Sequence, residues 1–389
     1  MTKRPITETI PVAPLKIIAL DNCKEFGEKV NDLIVEARKK MIAPGKNSPA
    51  FIGYEADSYL LDVSLNRYAT GEGQASINDS VRGTDLFILC DVTNSSIKYR
   101  IDGEETKASP DDHFSNLKRM IGACNGKTNR IHVIMPYLYE GRQDMRTHLE
   151  TLDCSLALNE LASMGVSTII TFDAHEPRVQ NALPIQGFDI FHTSYQFIKT
   201  LVEHDPDIPI TKSELMIISP DVGGMKRAVY YANQLGLDMG MFYRRLDYTK
   251  TVNNEHPVAA IEFLGNDISG KNAFIIDDMI ATGYTILDTA KELKKRNAKK
   301  VIIAATFGLF NDGLEMFDRA YEEGVFDKIY TTNLCYCSPE LMSRPYYVNV
   351  DLSKYVALII DTVNNDTSIN EIQNPTAKIQ EFLESQKRS

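Results

Sequence analysis

The sequence lacks the features that mark membrane, secreted and disulfide-bonded proteins. No apolar run approaches the roughly 18 residues of a membrane-spanning helix, so we expect no such segment. The first residues, MTKRPITETIPVAP, are basic without an apolar core behind them, so we expect no secretory signal. Six cysteines in 389 residues are too few for a disulfide framework. These absences together predict reduced thiols and a cytoplasmic location.

An excess of positive charge is also missing. Lys and Arg number 42 against 53 Asp and Glu, which gives a net charge of −11. An acidic surface repels a phosphate backbone, so we expect neither a nucleic-acid nor a membrane partner. A local basic pocket for a small phosphorylated ligand is still compatible with this charge. The composition, 43% hydrophobic and 24% charged, is that of an ordinary globular protein.

Short apolar runs rich in Ile and Val recur along the chain and alternate with helical patterns. Such runs are typical of strands buried on both faces of a parallel sheet, and the alternation predicts an α/β fold. Their number predicts two lobes, residues 1–185 and 186–389, with the last segment packing back on the first lobe. The predicted strands are Lys16–Leu20, Asp85–Cys90, Arg130–Met135, Ser167–Phe172, Leu215–Ile218, Ala273–Ile276 and Val301–Phe307.

Two helices and one insertion are also predicted from the pattern. Thr151–Met164 carries leucines on one broad side. Thr285–Arg296 opens with threonine as a candidate N-cap and closes on basic residues that suit a helix C-terminus. The polar, turn-rich segment Asn94–His113 is interpreted as a surface insertion between a strand and the next helix.

The most specific stretch is FIIDDMIATGYT, residues 274–285. An apolar strand ends in Asp277 and Asp278, and a turn containing Gly283 leads into a helix. Carboxylates can accept hydrogen bonds from sugar hydroxyls, while backbone N–H groups at a helix N-terminus can bind phosphate. The pattern therefore favours a binding site for a phosphorylated ribose over an acidic turn that binds no ligand. A Cys335–Tyr336–Cys337 pair has no second cysteine pair nearby, so no zinc site is predicted.

The same string resembles the phosphoribosyl-pyrophosphate fingerprint of type I phosphoribosyltransferases. Three further segments are similar to loops of the ribose-phosphate pyrophosphokinase family: PYLYEGRQDMRT (136–147), FDAHEPRVQNALP (172–184) and SPDVGGMKRA (219–228). The resemblance implies two phosphoribosyltransferase-type lobes, each a mainly parallel sheet flanked by helices. It also implies transfer of diphosphate from ATP to ribose 5-phosphate, which gives phosphoribosyl pyrophosphate and AMP.

The resemblance also assigns site residues. It implies that a homo-oligomer built from dimers uses Mg²⁺, with His175 and Asp221 at the metal and His175 also catalytic. The residues implied to bind ribose 5-phosphate are Asp277, Asp278, Ala281, Thr282, Gly283, Tyr284 and Thr285. Those implied to bind ATP are Arg142, Gln143 and Asp144, together with Tyr68, Thr70 and Glu72 from a neighbouring subunit.

One segment departs from the family pattern. The family carries a catalytic loop with a lysine and an arginine, and here the corresponding stretch reads FYRRLDYTK (242–250). Arg244 stands where the lysine is expected, so Arg244 and Arg245 are the predicted catalytic cations, on a loop expected to be mobile. The departure leaves two alternatives open: a regulatory homologue without turnover, and a phosphoribosyltransferase that consumes phosphoribosyl pyrophosphate.

Overall fold

The apolar runs form the strands of two parallel-sheet units. The computed structural model describes residues 9–41, 51, 53–246 and 258–386. Each of the seven predicted runs is a strand, which confirms the α/β prediction. The strands are β1 (Leu15–Ala19), β2 (Val63–Arg67), β3 (Gly73–Ile77), β4 (Asp85–Leu89), β5 (Lys98–Ile101), β6 (Glu104–Lys107), β7 (Arg130–Ile134), β8 (Thr168–Phe172), β9 (Gly187–Phe191), β10 (Leu215–Ser219), β11 (Asp238–Leu246), β12 (Val258–Leu264), β13 (Asn272–Ile280), β14 (Val301–Gly308), β15 (Lys328–Thr332) and β16 (Tyr347–Val350).

Helices connect these strands and cover the sheets. The helices are α1 (Lys24–Met41), α2 (Pro110–Ala123), α3 (Asp153–Ser163), α4 (Ser194–His204), α5 (Met225–Leu235), α6 (Tyr284–Lys295), α7 (Glu315–Glu322), α8 (Pro339–Met342), α9 (Ser353–Asn364), α10 (Asn370–Gln373) and α11 (Thr376–Gln386). The predicted helix at 151–164 is α3, although Leu156 on its expected apolar side is 59% exposed. None of the helices within the described ranges is long and apolar enough to cross a membrane.

Unit 1 comprises Met1–His192, Asn333–Tyr336 and Asp351–Asn374. Five of its strands form a parallel sheet in the order β1-β4-β7-β8-β9, and the inner strand β4 is buried along its whole length. A separate two-stranded sheet pairs β2 with β3, from Val63 opposite Ile77 to Arg67 opposite Gly73. Burial of the Ile- and Val-rich strands between helices is the main stabilising contribution expected for this layer.

A buried arginine joins the late helix α9 to the first helix α1 within unit 1. Arg38 is 1% exposed; its Nε donates to Asp361 Oδ1 at 2.7 Å and its Nη2 donates to Asn364 Oδ1 at 2.7 Å. The guanidinium also lies over the rings of Tyr54 and Tyr59, at 4.4 and 4.9 Å from their centroids. A buried guanidinium that lost these acceptors would be costly, so α9 is held firmly on α1.

Unit 2 comprises Thr193–Thr332, Cys337–Val350 and Pro375–Ser389. Its strand order is β12-β11-β10-β13-β14-β15-β16, parallel throughout except for the antiparallel β11–β12 pair at one edge. The chain moves outward from β10 to β11 but then returns to place β13 on the other side of β10. The boundary between β10 and β13 is therefore a topological switch point, where open α/β sheets bind ligands beyond the carboxyl ends of the strands.

The polar segment 94–113 follows β4 as predicted, but its last four residues, 110–113, already form the start of α2, and its middle is more regular than its composition suggested. Residues 98–107 form the antiparallel hairpin β5–β6, with Lys98 opposite Lys107 and Ile101 opposite Glu104. All four residues of β6 are exposed, so no alternation of apolar and polar residues marked the strand. The hairpin is held by its backbone pairing, and Tyr99 and Ile101 on β5 form its partly buried side.

Candidate functional site

The predicted acidic pair lies at the switch point of unit 2. Strand β13 pairs with β10 only as far as Ile275, but it continues beside β14 to Ile280. Asp277 and Asp278 therefore lie within the strand, where the structure corrects the prediction that the strand ends before them. Their position beyond the last residue paired with β10 places both acids at the crevice between the carboxyl ends of β10 and β13.

Burial and mutual repulsion shape the electrostatics of this pair. Only 18% of the Asp277 side chain and 7% of the Asp278 side chain is exposed. Burial raises the pKa of Asp277 well above its ordinary value, and the charge of Asp278 raises it further. The N–H of Asp278 donates to Asp277 Oδ1 at 2.9 Å. The two carboxylates thus repel each other in a mostly buried place, and hydroxyl donors or a cation would stabilise their charged forms.

An arginine that the sequence interpretation missed lies beside the acids. Nη1 of Arg227 is 3.6 Å from Asp277 Oδ1 and 3.5 Å from Asp278 Oδ1. Its charge lowers the pKa of Asp277, against burial and Asp278. Arg227 lies in the first turn of α5, three residues after Gly224 in SPDVGGMKRA, and a basic residue at that place was the available signal. It can offset the acids or contact an anionic ligand.

The turn after β13 has the geometry expected of a phosphate-binding loop. Gly283 adopts φ 96° as the N-cap of α6, and no side chain caps that helix. Helix α6 begins at Tyr284, so the prediction of Thr285 as N-cap is wrong. The backbone N–H groups of the first turn can therefore bind an anion, assisted by the positive end of the helix. The N–H of Asn311 donates to the carbonyl of Ala281 at 2.9 Å and fixes the turn's start.

The other residues of this turn differ in exposure. Thr282 and Tyr284 are exposed, and Ala281 and Thr285 are partly buried. Thr289 Oγ1 donates to the carbonyl of Thr285 at 2.8 Å, which ties the start of α6 to its own next turn. All five predicted residues 281–285 thus lie together on one turn and helix start, next to the acidic pair in sequence.

Asp221 lies on the adjacent turn, between β10 and α5. Its Oδ1 accepts from the N–H of Gly224 at 3.0 Å, and its carbonyl accepts from Ser219 Oγ at 2.7 Å. A Cβ on Gly224 would lie 2.9 Å from Ser219 Oγ, so alanine there would displace the hydroxyl that donates to Asp221. The charge of Asp221 also raises the pKa of Asp277, which shows that the two turns interact electrostatically.

Within the described part of the chain, no group of three or more His, Cys, Asp or Glu side chains is arranged to hold a metal ion. Unit 2 nevertheless offers the carboxylate oxygens of Asp277 and Asp278, and Asp221 is near enough for its charge to act on Asp277. Mg²⁺ is usually bound by one or two carboxylates together with substrate phosphates rather than by a complete protein cage. The donor set therefore fits a magnesium–nucleotide complex better than a resident ion.

In unit 1, His175 follows β8 at the carboxyl edge of the five-stranded sheet and is exposed. Asp173, two residues earlier, is buried in a left-handed conformation with φ 36°. Its Oδ1 lies 2.9 Å from Nδ1 of His192, a histidine after β9 that sequence reasoning did not single out. A left-handed backbone at the carboxyl edge of a parallel sheet is typical of functional sites, and the sequence pattern did not indicate it.

Arg142, Gln143 and Asp144 follow β7, the neighbour of β8, at the same edge of the sheet. Arg142 and Gln143 are exposed, and Asp144 is partly buried. The turn before them is fixed by hydrogen bonds from the N–H of Gly141 to Leu138 at 2.9 Å and from the N–H of Gln143 to Glu140 at 2.8 Å. The fold therefore brings the predicted ATP residues 142–144 and His175 to one edge of unit 1.

The predicted ATP residues Tyr68, Thr70 and Glu72 lie on a different element, the turn between β2 and β3. All three are exposed, with Tyr68 at 52%. The turn is closed by the N–H of Tyr68, which donates to the carbonyl of Glu72 at 2.8 Å, and Thr70 Oγ1 donates to Glu72 Oε2 at 3.0 Å. An exposed aromatic on a closed turn can stack on a planar ring.

The predicted catalytic arginines lie on a strand. Arg244 pairs with Ile261 and Arg245 with Ala260 in the antiparallel β11–β12 ladder, whose register shifts between Arg245 and Leu246. Residues 242–246 of the predicted mobile loop are thus extended and paired, because Phe242 is buried and β12 supplies hydrogen-bonding partners. Their side chains beyond Tyr243, and residues 247–257, lie outside the described part of the structure.

Two family models match this chain, one in each half of the sequence. Residues 15–165 match the family model for the N-terminal domain of ribose phosphate pyrophosphokinase, and residues 195–336 match the phosphoribosyl transferase domain. A ribose-phosphate pyrophosphokinase of Mycoplasma pneumoniae is 31% identical over 314 residues, which cover 80% of this chain and 87% of that protein.

More distant relatives extend the same comparison. A ribose-phosphate pyrophosphokinase of Vibrio parahaemolyticus is 28% identical over 319 residues, covering 81% of this chain and 92% of that protein. The crystal structure of phosphoribosylpyrophosphate synthetase from Mycobacterium smegmatis superposes with a TM-score of 0.70 at 21% identity, covering 90% of this chain and 99% of that one. At that identity, the superposition shows a shared fold.

Proposed function

This chain belongs to the ribose-phosphate pyrophosphokinase family, and we propose that it transfers the diphosphate of ATP to the anomeric hydroxyl of ribose 5-phosphate. The anomeric hydroxyl gives up its proton to solvent as its oxygen forms a bond to the β-phosphorus. The bond between that phosphorus and the bridging oxygen to the α-phosphorus breaks, and AMP leaves with that oxygen. The observation that carries the proposal is the partly buried pair Asp277–Asp278 directly before the Gly283-capped start of α6, at the switch point of unit 2.

Ribose 5-phosphate is the ligand that this arrangement suits best. Its phosphate would accept hydrogen bonds from the backbone N–H groups of residues 281–285, and its ring hydroxyls would donate to Asp277 and Asp278. The raised pKa of Asp277 reflects burial and repulsion, which hydroxyl donors relieve. Arg227 would offset part of the charge of the two acids, and the phosphate of the substrate would bind separately at the N-terminus of α6. The lobe of residues 186–389 is thus proposed to hold ribose 5-phosphate.

ATP is proposed to bind mainly through the lobe of residues 1–185. Arg142, Gln143 and Asp144 would contact the nucleotide, because an exposed guanidinium suits a triphosphate or an adenine face. Tyr68, Thr70 and Glu72 would contact adenine from a neighbouring copy, which makes the active form a homo-oligomer built from dimers. Such a reaction on free nucleotide pools is consistent with a cytoplasmic location.

Magnesium is proposed as the cofactor, bound together with ATP. Asp221 would hold it through a carboxylate oxygen, and His175 would act through water or phosphate, because imidazole is a poor ligand for hard Mg²⁺. When bound, the ion neutralises phosphate charge and polarises the transferred group. Arg244 and Arg245, at the end of β11, would add positive charge where it develops during the transfer.

A coupled assay for AMP release with ATP, Mg²⁺ and ribose 5-phosphate tests the proposal directly. AMP and phosphoribosyl pyrophosphate should appear in equal amounts, and omission of ribose 5-phosphate should stop AMP release. Production of AMP without ribose 5-phosphate would show a different reaction.

Arg244 in the place of the family's lysine favours one second candidate, a regulatory homologue without turnover. That candidate is established if the chain binds ATP in calorimetry but releases no AMP. A chain that binds phosphoribosyl pyrophosphate and consumes it with a nitrogenous base would instead be a phosphoribosyltransferase.

A further inference from the structure

The hairpin β5–β6 is rooted in the core of unit 1. Nε2 of His113 lies 2.8 Å from the carbonyl oxygen of Asn94, and Asn94 Nδ2 donates to the carbonyl of Asn22 at 2.7 Å; all three residues are buried. Just above this base, the N–H of Ala108 donates to the carbonyl of Ile97 at 2.8 Å. Buried polar groups that hydrogen-bond to one another favour a single arrangement, so the base of the hairpin has a fixed position within unit 1.

The hairpin reaches the strand that leads into the Tyr68–Glu72 turn. The guanidinium carbon of Arg67 lies 4.4 Å from the centroid of the Tyr99 ring on β5. Arg67 Nη2 donates to Asp112 Oδ1 at 3.2 Å, and Tyr99 Oη donates to Asp112 Oδ2 at 3.0 Å. One arginine is thus held by an aromatic face from the hairpin and a carboxylate from α2.

The same guanidinium fixes the turn itself. Arg67 Nη1 donates to the carbonyl oxygen of Gly71 at 2.9 Å. Gly71 has φ 87°, and a Cβ there would lie 3.1 Å from Ile101 Cδ1 at the end of β5. The turn that carries Tyr68, Thr70 and Glu72 therefore contacts the hairpin directly and is bound to it through Arg67.

Asp112 is a fixed anchor rather than a mobile surface acid. It completes a capping box with Ser109 at the start of α2, where each side chain accepts from the other residue's backbone N–H. Burial alone would raise the pKa of Asp112, but hydrogen bonds from Ser109 and Tyr99 and the charge of Arg67 hold it below its ordinary value. Only 15% of the Arg67 side chain and 19% of the Asp112 side chain is exposed, so solvent screens this pair less than an open surface pair.

We propose that the insertion braces the nucleotide-binding turn, with Arg67, Tyr99 and Asp112 as positioning residues that set the pose of Tyr68, Thr70 and Glu72 toward ATP. The inference rests on the proposed function, since it assumes that the turn contacts the nucleotide. It assigns to segment 94–113 a role in ATP affinity, exerted through Arg67 without contact with the substrate.

The test compares two tyrosine variants with a matched neighbour. Tyr99→Ala removes both the ring over Arg67 and the hydroxyl on Asp112, while Tyr99→Phe keeps the ring. Arg100→Ala is the control, because Arg100 is the next residue on the same strand and its side chain is exposed. Initial rates of AMP release are measured at varied ATP with saturating ribose 5-phosphate, and at varied ribose 5-phosphate with saturating ATP. The thermal unfolding temperature of each variant is measured as well.

We expect Tyr99→Ala to raise the KM for ATP about 5- to 10-fold, and Tyr99→Phe about 2- to 3-fold, by loss of a cation–π contact and a hydrogen bond to a charged group. The KM for ribose 5-phosphate and kcat should stay within about twofold of wild type, and Arg100→Ala should match wild type throughout. A merely structural role would lower the unfolding temperature and the active fraction without changing the KM for ATP.

The possible failures are distinguishable. An active wild type with an unchanged KM for ATP in both tyrosine variants overturns the brace and leaves the proposed function standing. If Tyr99→Ala does not fold, Tyr99→Phe decides by the same criterion. A wild type that releases no AMP but binds ATP refutes the proposed turnover, and the same variants then test the brace by calorimetric ATP affinity. A wild type that neither releases AMP nor binds ATP overturns both.

Discussion

Replacing Gly283 with alanine tests the phosphate-binding turn in the most quantitative way. The residue has φ 96°, and a Cβ would lie 2.1 Å from Cζ of Phe317, whose side chain is fully buried. A left-handed conformation costs an L-residue about 1–2 kcal/mol, and forced overpacking of a core typically costs about 1–3 kcal/mol. Gly283→Ala should therefore reduce the free energy of unfolding of unit 2 by about 2–5 kcal/mol.

The chain offers a matched control in Gly236, which ends α5 with φ 66° in open space. Gly236→Ala carries the backbone cost alone, about 1–2 kcal/mol. The difference between the two variants isolates the clash with Phe317. Urea unfolding followed by circular dichroism measures both, and equal losses in the two variants would refute the reasoning from packing.

A double variant examines the clash itself. Phe317→Leu shortens the side chain that meets the new Cβ, so Gly283→Ala/Phe317→Leu should lose less stability than the two single variants added together. Where folded Gly283→Ala can be assayed, its affinity for ribose 5-phosphate should fall on the order of tenfold, because displaced N–H groups no longer meet the phosphate. Strict additivity together with wild-type affinity would mean that the turn tolerates the methyl group and does not bind phosphate.

Four further predictions follow from the site. Replacing both Asp277 and Asp278 with alanine should abolish ribose 5-phosphate binding in calorimetry without unfolding the protein; retained affinity would remove the acids from the site. Because the folded state raises the pKa of Asp277, its deprotonation costs stability as the pH rises from about 4 through the folded-state value. Asp277→Asn should thus raise the unfolding temperature at pH 7–8 and lose that gain near pH 4; a gain independent of pH would contradict this. His175→Ala and Asp221→Ala should each lower kcat more than about tenfold, as should a chelator; full activity in all three conditions would make these residues structural. Arg244→Ala should lower kcat about 100-fold, or roughly 3 kcal/mol, whereas Arg244→Lys keeps much of it; unchanged kcat in Arg244→Ala would place catalysis elsewhere.

Local sequence was sufficient where one segment carries its own signal. The run Val301–Phe307 is apolar at every position except Thr306, and such a segment is stable only when buried on both faces, so its strand was predictable. The strand β15 (Lys328–Thr332) was missed because its Lys, Tyr and Thr residues form neither an apolar run nor a strict alternation. Its burial comes from β14 and β16 on either side.

Some residues of the candidate site also follow a local sequence pattern, and others do not. The order of two acids, a glycine turn and a helix is a local pattern, so Asp277, Asp278 and Gly283 were found from the sequence. The hairpin β5–β6 carried no such pattern, because β6 is polar and exposed throughout and β5 is only four residues long, with Tyr99 and Ile101 partly buried. Residues 242–246 were predicted to be part of a mobile loop, but they form the end of strand β11. The prediction was wrong because their partner strand β12 comes only after an intervening polar stretch.

By itself, the sequence determined seven of the parallel strands and the glycine turn after the acidic pair, because an apolar run and the need for glycine in a turn are properties of neighbouring residues. Only the tertiary structure decided which groups meet: Arg227 with the acidic pair, His192 with Asp173, and Phe317 beneath Gly283. The partners in these pairs are between 19 and 51 residues apart in the chain, and the strand order brings them together. Contacts of this kind depend on how distant segments pack, which no local pattern of residues records.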